Sequence, residues 1–214
     1  MIVQSYMDSK PYEMKPLFEI ADIIDCLHSK KPDAIPEGTK QLIQLDNITD
    51  SGFLDMNALK YMISDEDYSF WIRKCEIHAG DCVITNVGRV GAVSQAPAGT
   101  HVAMGRNMTC IRLKEAKKWH AYLITMLLSD HMKREISKNT DVGTIMNALN
   151  VKDIPKLLFP VFSDEGMKSL ERDLKAFRGL IEGNYLENQR LAQLRDALLP
   201  KLMSGELDVS DLAI

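Results

Sequence analysis

Apolar positions in the first half of the chain come in short runs. Residues 42–45, 82–85, 102–104 and 108–113 are apolar or alternating, and Gly, Pro and Asn/Asp clusters separate them, so the stretch from about 16 to 113 is predicted to be mainly β. Between 117 and 138 the spacing changes. Trp119, Tyr122, Leu123, Met126, Leu127 and Met132 recur at helical intervals, which predicts one helix packed on the sheet. A Gly- and Asn-bearing loop follows. The segment VKDIPKLLFPVF at 151–162 carries two prolines, reads as extended, and ends in Ser163 and Asp164, which suit a helix start. From 164 to about 199 a single helical pattern runs without proline until Pro200. At ~1.5 Å per residue it spans roughly 50 Å and should protrude from the domain before it.

That last pattern fits a heptad with Met167, Leu174, Ile181, Asn188, Arg195 and Leu202 at a, and Leu170, Phe177, Asn184, Leu191 and Leu198 at d. The middle of the seam is polar. Two copies running antiparallel about an axis near residue 186 would set Asn184 against Asn188, Ile181 against Leu191, Leu174 against Leu198 and Leu170 against Leu202. A shift of one heptad would bury an Asn against Phe177 or Leu191, so the Asn pair selects the register. Phe177 against Arg195 is the imperfect layer. The expected interface is therefore Leu170, Leu174, Phe177, Ile181, Asn184, Asn188, Leu191 and Leu198. Leu180, Tyr185, Leu194 and Leu199 widen the stripe, so packing on the same chain or on another protein is an alternative use of this face.

The 214 residues, 45% hydrophobic and 26% charged, have the composition of an ordinary globular protein. The N-terminus lacks the basic-then-apolar layout of a secretory signal, and no apolar run reaches the roughly 18 residues of a membrane span. Cys26, Cys75, Cys82 and Cys110 form no regular framework, so free thiols and a cytoplasmic location are expected. The net charge of -4 argues against a large electrostatic footprint for nucleic acid, although from 81 to 118 two acids stand against six bases, Arg89, Arg106, Arg112, Lys114, Lys117 and Lys118.

Catalytic constellations are missing. The sequence holds no nucleophile elbow, no phosphate loop and no dinucleotide fingerprint, and the glycines of VGRVGA form a turn. Cys75, His78 and Cys82 lack zinc-site spacing, and His28, His101, His120 and His131 have no partner that sequence identifies. No catalytic residue and no metal ligand is assigned.

Particular strings carry a resemblance. LRDALLPKLMSGEL at 194–207 is similar to the helix end that closes specificity subunits of type I restriction-modification systems. HAGDCVITNVGRVG at 78–91 resembles the Gly-Asp, strand, Thr, Gly-x-x-Gly segment of their target recognition domains, and RNMTCIRL at 106–113 the strand that follows. GTIMNALNVKDIPKLLFPVF at 143–162 is similar to the lead into the long helix. Taken in order, these strings extend the resemblance from Leu17 to Leu207. LFEIADIIDCLHSKKP departs by lacking a glycine after its first strand, and PVFSDEG replaces the usual Pro- and Gln-containing helix entrance.

The resemblance implies an α/β (α+β) fold: a mainly β recognition domain with a packed helix at 1–162, one long helix forming an antiparallel coiled coil at 163–207, and a tail at 208–214. Family members carry two such domains and two such helices in one polypeptide, whereas this sequence has one of each, so a homodimer would rebuild the arrangement. It also implies a non-catalytic reader of double-stranded DNA that binds no cofactor. A separate modification (methyltransferase) subunit would use S-adenosylmethionine, and a restriction subunit is a further partner. No membrane partner is implied. Expected DNA contacts are Lys30 and Lys31 in the first loop, Asn86 and Arg89 in the glycine turn, Arg106 and Asn107 at the next strand, and Asn147 near the helix entrance, since Arg matches guanine and Asn matches adenine in the major groove. The competing reading is a coiled-coil adaptor that binds another protein, which the acidic total favours. A small hydrolase or metalloprotein is a third, resting on the Cys/His scatter alone.

Overall fold

The computed structural model describes residues 2–57, 60–114, 118–141 and 148–207. Helix α1 (Ile2–Ser9) leads into β1 (Tyr12–Pro16), β2 (Ala21–Asp25), β3 (Lys40–Ile43), β4 (Met62–Ile63), helix α2 (Asp65–Trp71), β5 (Glu76–His78), β6 (Cys82–Thr85), β7 (Val93–Gln95), β8 (His101–Met104) and β9 (Met108–Leu113). Helices α3 (His120–Leu127) and α4 (Asp130–Lys138) follow, then β10 (Thr140–Asp141), β11 (Ala148–Leu149), β12 (Leu158–Phe162) and helix α5 (Asp164–Met203). The expected mixed α and β architecture, mainly β before residue 113 and ending in one long helix, is the one observed.

Two four-stranded sheets, ordered β2-β9-β6-β7 and β4-β3-β8-β5, form the centre. All pairs are antiparallel except β3 with β8. Alternation along each strand sorts side chains into three cores. Cys82 and Ile84 of β6 and Ile111 and Leu113 of β9 face α3, α4 and the start of α5. Val83, Met108 and Cys110 face the other way, against Ile43, Ile77, Val102 and Met104 of the second sheet. Leu42 and Ala103 then cover Trp71 and Tyr68 of α2. Because β6 is buried on both faces, its sequence reads as a continuous apolar run.

The single helix expected between 117 and 138 is two. Ser129 adopts extended backbone and its hydroxyl accepts from the Met132 N–H, so a new helix is capped there and the apolar period is reset. Helix α2 was also not foreseen; Ser64 caps it in the same manner, with Asp65, Glu66 and Asp67 in the first turn where carboxylates favour the helix dipole. At the far end α5 continues through Pro200 to Met203, and Ser204 N–H donates to the Pro200 carbonyl at 2.9 Å.

Residues up to Lys175 form one compact unit and those from Ala176 a second. The division falls inside α5, because Met167, Leu170 and Leu174 belong to the core of the first unit. From Ala176 to Leu207 no residue is buried.

Candidate nucleic-acid interface

Four backbone segments meet at one end of the two sheets. The turn 86–91 is pinned by Thr85, whose buried hydroxyl donates to the Arg89 carbonyl and accepts from Ala92 N–H at 3.1 Å, while Gly91 N–H returns to the Thr85 carbonyl at 2.9 Å. Gly91 sits at φ +78°, and a Cβ there would come within 2.9 Å of Ile136. Asn86 N–H donates to the Asn107 carbonyl at 2.8 Å, which joins this turn to the β8–β9 turn. Gly105 N–H donates to the Ile43 carbonyl at 3.0 Å, which joins that turn to the end of β3. Val87 bridges Ala148, so β11 reaches the same place.

The expected contact residues separate within this cluster. Arg106 and Asn107 are exposed at the tip of the β8–β9 turn, and Asn107 holds the left-handed backbone (φ 64°) that an Asn tolerates. Among the described residues Arg106 has no side-chain partner. Arg89 is half exposed; it donates to the Ile48 carbonyl at 2.8 Å and pairs with the exposed Asp50. Asp46 is exposed in the same 44–50 loop, so the end carries both signs of charge.

Asn86 does not reach solvent. It is 6% exposed, its amide donates to the Thr109 hydroxyl at 2.9 Å, and its carbonyl accepts from the same hydroxyl at 3.1 Å. These two bonds lock the turn to β9. Lys31 stacks over the Tyr61 ring at 3.6 Å, and Tyr61 donates to the Pro32 carbonyl at 2.8 Å. Lys30 is exposed beside it, and no hydrogen bond or ion pair among the described residues joins either lysine to the turn cluster. Asn147 lies outside the described residues. Thr85 is the positioning residue that the candidate set lacked; its signal was the Thr preceding the glycine pair.

The basic excess between 81 and 118 is partly spent inside the fold. Arg112 grips the buried Asp81 carboxylate through Nε at 2.9 Å and Nη2 at 2.5 Å, and also donates to the Glu76 carbonyl at 2.6 Å. That carboxylate holds the guanidinium pKa even higher than usual. All four cysteines are free and buried. The interaction of these two neighbouring thiols pulls Cys75 down and pushes Cys110 well up.

Two groups have donors compatible with a metal: Asp25, Cys26 and His28, and Glu76, His78 and His101, each with ligand atoms within 4.8 Å of one another. In the first, burial pushes the Cys26 thiol up and disfavours the thiolate a metal requires.

On the helix, Leu170 (0%) and Leu174 (3%) are buried in their own chain, whereas Phe177 (54%) and Ile181 (48%) are exposed. Asn184, Asn188, Leu191 and Leu198 are exposed as well. The first two positions of the expected interface are thus occupied internally, and the seam open to another molecule starts at Phe177.

No family model and no curated protein matches the sequence. Solved structures do. The S subunit of a type I restriction-modification system from M. genitalium superposes with a TM-score of 0.62 at 15% identity, over 92% of this chain and 47% of that one. A chain from work on complex assembly and conformational transition of the type I R-M system gives 0.57 at 18%, over 94% and 50%. The HsdS subunit from Thermoanaerobacter tengcongensis gives 0.54 at 16%, over 96% and 50%. The class this defines is one of fold: a sheet-rich domain followed by a long helix. More narrowly, the fold is that of type I restriction-modification S subunits, and the chain spans about half the length of each one it matches.

Proposed function

We propose that this chain is a DNA-sequence-recognition subunit of a type I restriction-modification complex and performs no catalysis itself. The observation that carries the reading is the likeness of 92–96% of the chain to half of an S subunit. The exposed cations Arg106 and Arg89 on neighbouring pinned turns supply the chemistry. Arg106 is free to reach guanine or phosphate, and Arg89 can exchange the exposed Asp50, whose hold on it in water is worth only ~0–1 kcal/mol. Lys30 and Lys31 would add phosphate contacts that set position.

Its partners in this reading are double-stranded DNA, a modification subunit that methylates adenine with S-adenosylmethionine, a restriction subunit, and a second copy of itself, all in the cytoplasm. The apolar side chains exposed from Phe177 onward support pairing, with Ile181 against Leu191 and Asn184 against Asn188 of the second copy. Leu198 and Leu202, left without Leu174 and Leu170, then serve the modification subunit. A symmetric reader recognises two equivalent half-sites in inverted orientation.

The net charge of -4 favours a second reading, a coiled-coil adaptor that binds protein through its β domain. DNA association measured with the methyltransferase present, across a salt series, separates the two. A recognition subunit loses affinity steeply with salt and prefers one sequence. An adaptor shows neither effect.

A further inference from the structure

We propose that Glu76, His78 and His101 form a binding site for a transition-metal dication of the zinc class, which clamps the edge strand β5 to β8. The site lies apart from the turns assigned to DNA and does not depend on that assignment.

Register builds it. In the antiparallel β5–β8 ladder His78 stands directly opposite His101. Residues directly opposite have Cβ atoms about 4.5–5.5 Å apart. Glu76 is two residues back on the same strand and therefore on the same face. The side chains converge as the backbone requires: His78 Nε2 lies 3.0 Å from Glu76 Oε2, His101 Nδ1 lies 3.8 Å from Glu76 Oε1, and the two rings are 5.2 Å apart. Zinc bonds of about 2.0–2.1 Å in tetrahedral geometry place donors about 3.3 Å apart. All three donor atoms already lie within 4.8 Å of one another, so small side-chain rotations suffice.

The surroundings suit an ion. Tyr68 donates to Glu76 Oε1 at 2.6 Å and fixes the carboxylate from behind, as outer partners of metal ligands do. Two imidazoles with one carboxylate favour Zn2+, Co2+, Ni2+ or Cu2+ over Mg2+ and Ca2+, which prefer all-oxygen shells. Both rings reach solvent, so water completes the shell. β5 is three residues long and ends its sheet, so a cross-link to β8 adds most where pairing is shortest.

The test uses the full chain without a histidine tag, stripped with EDTA and titrated with ZnCl2 by calorimetry and with CoCl2 by visible absorption. One ion should bind per chain, with a four- or five-coordinate Co2+ spectrum and a raised melting temperature on Zn2+ addition. His78→Ala and His101→Ala should each weaken binding at least ~100-fold, and Tyr68→Phe about tenfold. Because His101 is exposed and His78 half-exposed, the two alanine variants should melt close to the metal-free parent. No uptake by the parent at equimolar metal would overturn the proposal, and so would unchanged affinity in the His78→Ala/His101→Ala double variant.

Discussion

Removing the Arg106 guanidinium deletes an exposed charge without an internal partner among the described residues, so Arg106→Ala should change stability by less than ~0.5 kcal/mol. Its DNA affinity should fall, with the salt slope smaller by about 1 if the contact is to phosphate, or with relaxed sequence preference if it is to a base. Asn86→Ala should do the reverse in order of cause: it strands the Thr109 hydroxyl in the core and costs ~1–3 kcal/mol before any DNA is present. Arg112→Ala is the most damaging of the three. It leaves the Asp81 carboxylate buried and unpaired, a loss of ~3–5 kcal/mol that denaturant unfolding reads directly. At this scale the sequence revealed residue types but not directions. Asn86 and Arg89 lie in the same turn, yet one bonds Thr109 of β9 and the other is half exposed beside Asp50, and the turn backbone that decides this is pinned by Thr85 and the Asn107 carbonyl from other segments. His78 was legible only as a neighbour of cysteines in sequence, because its partner His101 comes from across the ladder, 23 positions away.

Glu171 ties elements together. From α5 it accepts from the Ala121 and Tyr122 N–H groups at 2.9 and 2.8 Å, capping α3, whose own first residues supply no side-chain cap. Burial raises its pKa above the ordinary 4.5, against the opposing pull of those two N–H groups. A carboxyl with a raised folded pKa binds its proton more tightly folded than unfolded, so this contribution is fully present below about pH 4.5 and is lost as pH rises through the folded value. Glu171→Gln keeps an acceptor without the charge. The wild type should therefore lose stability relative to the Gln variant as pH rises from below 4.5 to neutrality, by guanidinium melts, and Glu171→Ala should cost ~0.5–2 kcal/mol from the lost cap. Strands β3, β6, β8 and β9 were legible as short apolar or alternating runs, and the long helix from its helical spacing free of proline until Pro200. The α3–α4 break was not, because Leu127 and Leu128 continue the helical stripe up to Ser129 and only the cap interrupts it. The same stripe concealed that α5 changes role along its length, since Met167, Leu170 and Leu174 share the heptad of Ile181 and Leu191 but pack at home.

For the whole molecule, the proposed assembly is a symmetric pair of chains, each with one sheet-rich domain and one long helix. In that proposed pair Ile181→Asp would remove an apolar group from two layers at once, because each copy would set Ile181 against Leu191 of the other, and sedimentation equilibrium should report a monomer where the parent sediments as a dimer. A parent that is already monomeric would assign the exposed apolar face to a different protein. The self-complementary heptad suggests the pairing, in which the polar Asn184 and Asn188 in mid-seam would select one register. The most direct test of the central claim is to co-express the chain with its candidate methyltransferase and read modified adenines in the host DNA by single-molecule sequencing. The account predicts methylation at an inverted-repeat motif that disappears when this chain is deleted. An active methyltransferase whose methylation pattern is unchanged by the deletion would contradict it.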